Sequence, residues 1–135
     1  MRRGRAGVAA VLAAAALAVA ASACGGPAAD LFGVIRSGSI PGADITIVPS
    51  SDGQVLCGRR TRELSSKQLL TAENFDFTYQ SKRHLQLESG PHPVYTYVVT
   101  TEAGTFSFSD DSPHLGPGLR KLAAWVYAVA NTVCR

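Results

Sequence analysis

The sequence predicts an α+β domain in which an antiparallel sheet of about five strands packs against two helices, in the order β-β-β-α-β-β-α. Several short segments alternate polar and apolar side chains, the period of a half-buried strand, and turn residues separate them. A longer segment near the C-terminal end repeats its apolar residues every three or four positions, the period of a helix that packs on a core. Runs of strands followed by helices are typical of α+β folds.

Three strands open the domain. Residues 31–35 form a short apolar run, and residues 44–48 alternate as Asp-Ile-Thr-Ile-Val. The sequence Ser-Ser-Asp-Gly at 50–53 is typical of a hairpin turn, so residues 54–58 are expected to return as the third strand. Residues 37–42, Ser-Gly-Ser-Ile-Pro-Gly, are predicted to form the turn segment between the first two strands.

A capping box indicates where the first helix begins. Ser65 and Gln68 have the spacing of a capping box, in which each side chain bonds the backbone N–H of the other residue. The sequence predicts a helix from residue 66 to about residue 76, with Leu69 and Leu70 facing inward. Because the aromatic residues at the end of this segment alternate like those of a strand, the pattern leaves the end of the helix open.

A hairpin and a helix complete the predicted domain. Residues 94–100 are rich in β-branched and aromatic side chains, residues 105–109 alternate strictly, and residues 102–104 contain the turn. The final helix is predicted from about residue 118 to residue 134, with Trp125 at the margin of its apolar stripe. The stripe consists of Leu119, Leu122, Val126, Val129 and Val133.

The aromatic residues of these two elements have two interpretations. Tyr95 and Tyr97 belong to the core if their side of the strand faces the helices. If Thr96 and Val98 face inward instead, the tyrosines form an exposed aromatic surface of the kind used at interfaces. Trp125 likewise either packs between helix and sheet or anchors a partner.

The N-terminal 23 residues predict an export signal peptide. Arginines at positions 2, 3 and 5 precede an Ala/Val/Leu run over residues 6–20 and a small-residue exit. This run is shorter than the about 20 residues that a transmembrane helix needs. The exit followed by Cys24 and two glycines resembles the lipobox of bacterial lipoproteins, with residues 24–30 as lipid-attachment site and tether. The expected location is extracytoplasmic, anchored to the plasma membrane by lipid; the alternative is a soluble secreted protein.

The cysteine count fits lipid attachment. The chain has three cysteines, and an odd number in an exported protein needs an explanation. If Cys24 carries lipid, Cys57 and Cys134 remain to form a disulfide, which export permits. That bond would close a loop of about 80 residues and stabilise the fold by about 4 kcal/mol. The alternative is a pair of buried free thiols.

Charge argues against nucleic acid as a partner. The chain has 13 Lys+Arg and 10 Asp+Glu residues, and three of the arginines lie in the signal peptide. The remaining chain is therefore close to neutral and lacks a general basic field. Arg59, Arg60 and Arg62 form a small cluster that is expected to be a solvated loop, or alternatively a contact for an anion or a lipid headgroup.

The sequence contains no recognisable catalytic set, so no enzymatic activity and no cofactor are expected. His84, His92 and His114 fall in loop-like segments without a second histidine at metal-binding spacing. Asp110 and Asp111 with His114 could hold a divalent metal, although such clusters more often serve turns. Ser37 and Ser39 flank a glycine in the predicted turn and lack a catalytic partner in the sequence.

Two family resemblances follow from these residues. The lipobox-like start and the segment at 31–39 resemble uncharacterised small exported proteins of actinobacteria, over most of residues 31–134, which implies no activity. The segment at 36–42, the hairpin at 95–108 with Asp110, and the helix at 119–125 are similar to the emfourin family. That family consists of small α+β proteins and includes an inhibitor of thermolysin-like metallopeptidases.

The emfourin resemblance implies a fold order and an inhibitor hypothesis, and no inhibitory residue. The chain departs from that pattern at Ser39, where a second glycine is usual, and at Pro41; its two cysteines and lipid signal also differ.

The functional expectation is a small, exported, non-catalytic domain that binds an unknown protein or small ligand at the cell surface. The candidate binding residues are Ser37, Ser39, Pro41, Tyr95, Tyr97 and Trp125. The alternatives are a peptidase inhibitor that uses residues 37–42 or 102–104, and a metal-dependent enzyme at Asp110, Asp111 and His114.

Overall fold

The structure is a computed structural model that describes residues 28–79, 85 and 87–135. The predicted signal peptide, Cys24 and His84 lie outside the described residues. Eight elements follow one another: β1 (Gly33–Gly38), β2 (Ile45–Pro49), β3 (Gln54–Cys57), β4 (Arg60–Glu63), α1 (Ser66–Tyr79), β5 (Tyr95–Thr101), β6 (Gly104–Ser109) and α2 (Pro117–Thr132). The predicted α+β class, with an antiparallel sheet and two helices, is confirmed.

The six strands form one sheet in the order β4-β3-β2-β1-β5-β6, and every neighbouring pair is antiparallel. Strand β1 lies in the middle, where Val34 is opposite Ile47 on one side and Val99 on the other. These three side chains are buried on the face that the helices cover. On the other face Ile35, which alternates with Val34 along β1, is exposed, as expected for an antiparallel sheet covered on one side.

The prediction of about five strands was wrong by one, and so was the order built on it. The missed strand is β4, where Arg60 lies opposite Cys57 and Arg62 opposite Val55. Two of the three clustered arginines are therefore strand residues and not loop residues. Strand β4 is the edge of the sheet, and edge strands commonly carry charged side chains, so Arg-Thr-Arg-Glu lacks the apolar alternation that would predict it.

Helix α1 begins at the predicted cap. The Gln68 backbone N–H donates to Ser65 Oγ at 3.2 Å, and the Ser65 backbone N–H donates to Gln68 Oε1 at 2.9 Å. The helix continues to Tyr79, beyond the predicted end, because Phe75 and Tyr79 are four residues apart and stack with ring centroids 4.4 Å apart. Leu70, predicted to face inward, is 58% exposed.

Helix α2 confirms the predicted apolar stripe. Proline occupies its first turn, where a missing N–H costs nothing. Four stripe residues are buried, namely Leu119, Leu122, Val126 and Val129. Val133, just past the helix end, is half-buried. Within the described residues, no helix is long and apolar enough to span a membrane.

A disulfide joins Cys57 at the end of β3 to Cys134 just after α2, with the two Cα atoms 5.5 Å apart. The predicted pairing is confirmed, and the alternative of two free thiols is wrong. The bond links the sheet to the helix layer near the β4 edge.

Candidate functional site

The loop between β1 and β2, residues 39–44, stands out at one end of the sheet. Ser37 at the end of β1, Ser39 and Pro41 are all exposed. Ile40 lies between the last two and is 45% exposed, although its side chain is fully apolar. The loop thus presents an apolar residue among small polar neighbours.

Arg36 holds this loop from inside the protein. Its side chain is only 4% exposed, and its Nε donates to the Ala43 carbonyl oxygen at 2.8 Å. One terminal nitrogen lies 3.5 Å from the Gly42 carbonyl oxygen, and the guanidinium carbon lies 4.6 Å from the centroid of the Tyr95 ring. Since burying a charge is costly unless other groups stabilise it, these contacts fix both the cation and the loop carbonyls that it bonds.

The Arg36 guanidinium is not fully satisfied. Its Nη1 is buried and has no hydrogen-bond partner in the part of the chain that the structure describes. Among the described residues, no carboxylate lies within ion-pair distance of it. The aromatic ring and two backbone carbonyls therefore take the place that an acidic side chain usually occupies around a buried arginine.

Backbone contacts hold the loop from its two ends. The Ser39 N–H donates to the Val94 carbonyl oxygen at 3.2 Å, and the Gly38 N–H donates to Asp44 Oδ1 at 3.3 Å. A Cβ atom at Gly38 would clash with the same Val94 oxygen. Glycine is thus required there for β1 to approach residue 94, and the loop is tied to the segment that precedes β5.

Residues 90–95 beside the loop are held by two carboxylates. Asp111 accepts the backbone N–H groups of Gly90 at 3.1 Å and His92 at 2.7 Å, and Asp110 accepts that of Val94 at 3.0 Å. The Ser109 hydroxyl also donates to Asp111. This hydroxyl, together with the two backbone N–H groups, holds the pKa of Asp111 below its usual value.

These bonds account for Asp110 and Asp111 without a metal. Within residues 28–79, 85 and 87–135, no group of three or more His, Cys, Asp or Glu side chains is placed to hold a metal ion. His114 lies in a left-handed backbone conformation with φ of 59° in the link to α2. The carboxylates of Asp110 and Asp111 thus order the segment that precedes β5.

Two predicted binding residues are buried. Tyr97 is 2% exposed and stacks on Phe108 with centroids 4.8 Å apart, and burial raises its pKa to about 12. Trp125 is 6% exposed, and its indole N–H donates to the Gln68 carbonyl oxygen at 2.9 Å. The core interpretation is therefore confirmed for Tyr97 and Trp125, since Val98 and not Tyr97 faces solvent. The alternatives of an exposed tyrosine pair and of an exposed Trp125 anchor are wrong for these two buried side chains.

Ile40 and Val94 are not among the individually predicted binding residues, although Ile40 lies in the predicted inhibitor loop at 37–42. Val94 is 40% exposed, and its carbonyl oxygen bonds the residue that precedes Ile40. We name the exposed end formed by Ser37, Ser39, Ile40, Pro41 and Val94 the loop surface; Tyr95 is half-buried beneath it. An isoleucine inside a Ser/Gly/Pro turn is the sequence signal that could have identified it.

The other predicted inhibitor loop lies elsewhere. The turn between β5 and β6 contains Glu102 and follows Thr101. Gly38 of β1 is opposite Tyr95 at the start of β5, whereas Gly33 is opposite Thr100 near its end. The turn therefore lies at the far end of the sheet from the loop surface. A single interface with one partner cannot be centred on both.

Protein-family models, curated proteins and solved structures give no match to this chain.

Proposed function

We propose that this chain is a small, exported, lipid-anchored and non-catalytic domain that binds a protein partner through the loop surface. The observation that supports it most is the preorganised loop: Arg36 fixes its carbonyl groups from below while Ile40 remains exposed. A loop that is already ordered loses little entropy on binding, so its apolar contacts contribute to affinity more fully.

The placement of the loop surface fits a tethered protein. The described chain enters the sheet at Asp30, which pairs with Ser50. Strand β1 then runs from Gly33 to Gly38 and covers about 20 Å before the loop begins. The described chain thus enters at the end of the sheet opposite the loop surface, which fits a protein tethered through its N-terminal segment.

Site-specific photo-cross-linking in the native envelope tests this proposal. A photoreactive amino acid at position 40 should give a defined cross-linked product. One at position 70 should not, because Leu70 is also apolar and is more exposed than Ile40 but lies on α1. The product should disappear in a Val94→Asp background. Identical products from both positions, or none from position 40, would exclude the loop surface.

Inhibition of a peptidase is the second candidate, and one observation favours it. Ile40 and Pro41 sit in an exposed loop that is fixed from within, which is the form of a loop that occupies a protease cleft without being released. The same segment carries the resemblance to emfourins. A thermolysin-like metallopeptidase is therefore the target class to test.

The oxidised domain of residues 25–135 should abolish such a peptidase's activity at a near-stoichiometric ratio. Ile40→Asp should weaken the inhibition at least about tenfold, while Leu70→Asp should leave it unchanged. Absence of inhibition at a large excess of the domain would reject this target class and would favour the proposal of a surface-binding domain.

A further inference from the structure

A groove of about 320 Å³ lies between α1 and α2, and it shares no residue with the loop surface. The helices run antiparallel, since Trp125 bonds Gln68 while Gly118 meets Tyr79. At this volume the groove is at the lower end of the range for small-molecule sites in proteins. It would hold a single ring with a short side chain.

Aromatic rings form the floor of the groove. Phe32 packs edge-on to Phe75 and to Trp125, with centroids 5.0 and 5.7 Å apart. The indole N–H of Trp125 is directed to the Gln68 carbonyl, so it does not need a ligand. The floor therefore offers ring faces and edges suited to another aromatic ring.

The groove carries a single sign of charge. Lys121 is the one charged residue among the described residues that line it, and no described carboxylate lies within ion-pair distance of its ammonium. Gly118, in the first turn of α2, also lines the groove, and the N-terminal end of a helix carries partial positive charge. The amide of Asn74 on the opposite wall adds a neutral hydrogen-bonding group.

We propose that this groove binds a small aromatic monocarboxylate. The ring would lie on Phe32, Phe75 and Trp125, and the carboxylate would face the Lys121 ammonium. The aromatic floor favours the ring, and Lys121, which has no counter-charge among the described residues, favours a single negative charge. This site is independent of the proposed protein-binding function, because either could exist without the other.

The sole tryptophan of the chain reports on the groove directly. Titration of the purified exported form with 3-phenylpropionate should change the Trp125 emission saturably. The uncharged isostere 3-phenylpropanol should bind about tenfold more weakly, because it cannot form the charge-assisted contact. Equal affinity for acid and alcohol would overturn the assignment of an anion.

Variants separate the ligand site from a general effect of charge. Lys121→Met should reduce the affinity for the acid to that for the alcohol. Arg120→Met removes the same charge from the neighbouring, exposed position outside the groove and should leave binding unchanged. Unchanged affinity in Lys121→Met, or equal losses in both variants, would contradict the proposal.

Thr71→Phe should fill the groove from α1 and abolish binding, with folding checked by circular dichroism. If emission stays constant with the unsubstituted protein, ¹H–¹⁵N spectra give a second readout. Shifts confined to the groove residues would support the site. No shift at millimolar acid, or unchanged binding in a folded Thr71→Phe variant, would overturn it.

Discussion

The Arg36 guanidinium on β1 lies 4.6 Å from the centre of the Tyr95 ring on β5, so neighbouring strands together hold a cation that has no acidic partner among the described residues. We predict that Arg36→Met changes the free energy of unfolding by no more than about 1 kcal/mol. The lost bond to the Ala43 carbonyl and the lost cation–π contact destabilise the fold by about 2–4 kcal/mol, but removing the unsatisfied Nη1 and its buried charge offsets most of this.

The loop should loosen in that variant although the fold survives. Exchange of the Ser39 and Ala43 amide protons should accelerate at least about tenfold, which hydrogen exchange measures residue by residue. Arg36→Lys is the comparison, since it keeps a buried charge without the planar donors and should destabilise more than methionine. A loss above about 3 kcal/mol for Arg36→Met would show that the cation itself stabilises the fold.

The disulfide gives a second prediction. Replacing both Cys57 and Cys134 by serine should lower the free energy of unfolding by about 4 kcal/mol, because the bond closes a loop with a sequence separation of 77 residues. Urea titration measures the difference between the variant and the oxidised protein. A change below about 1 kcal/mol would mean that the unfolded chain is already restricted in another way.

The close contact between the helices gives a third prediction. A Cβ atom at Gly118 would lie 2.6 Å from the Tyr79 phenolic oxygen. Gly118→Ala should therefore destabilise the protein by about 1–3 kcal/mol, even though alanine is the better helix former. In a Tyr79→Phe background the same change should cost less, and thermal unfolding of the four proteins of this cycle measures the coupling. An equal cost in both backgrounds would assign the effect to the backbone.

Asp76 gives a pH-dependent prediction. Burial and the nearby charge of Glu102 raise the pKa of its carboxyl above the usual 3.8. A carboxyl that holds its proton more tightly in the folded state destabilises the fold as the pH rises above the unfolded pKa, and the loss is complete above the folded pKa. Asp76→Asn should therefore raise the free energy of unfolding at pH 7, and this gain should vanish below pH 3.8.

Denaturant titration across that pH range measures the effect of Asp76→Asn. Glu73→Gln, at an exposed carboxylate on the same helix, is the matched control and should show no such gain. A gain that persists below pH 3.8 would point to a cause other than ionisation.

The elements predicted best were those whose side chains face one core. In the stripe of α2 and in the strand from 95 to 101 the apolar residues recur at regular spacing, and the residues buried in the structure follow that spacing. Strand β4 could not be predicted, because backbone pairing with β3 and not apolar burial stabilises it. The end of α1 was ambiguous because Phe75, Phe77 and Tyr79 alternate like a strand. Only Phe75 and Tyr79 also fit the helical period, and Phe77 is 77% exposed.

The candidate site was predicted only in part. Ser37, Ser39 and Pro41 are exposed together as the turn chemistry suggested. The role of Arg36 was not visible, because the sequence shows a charged residue in a strand and not the carbonyl groups that fold back onto it. The burial of Tyr97 depends on which side of β5 faces the helices, a choice that alternation alone leaves open.

The central position of β1 gives the molecule a direction of mechanical strength. A pull between residue 28 and the loop at residues 39–44 runs along this strand, with β2 on one side and β5 on the other. The hydrogen bonds of both ladders lie across that line, so they would be sheared together instead of opening one after another. A partner that holds the loop could thus transmit tension through the sheet without peeling it apart.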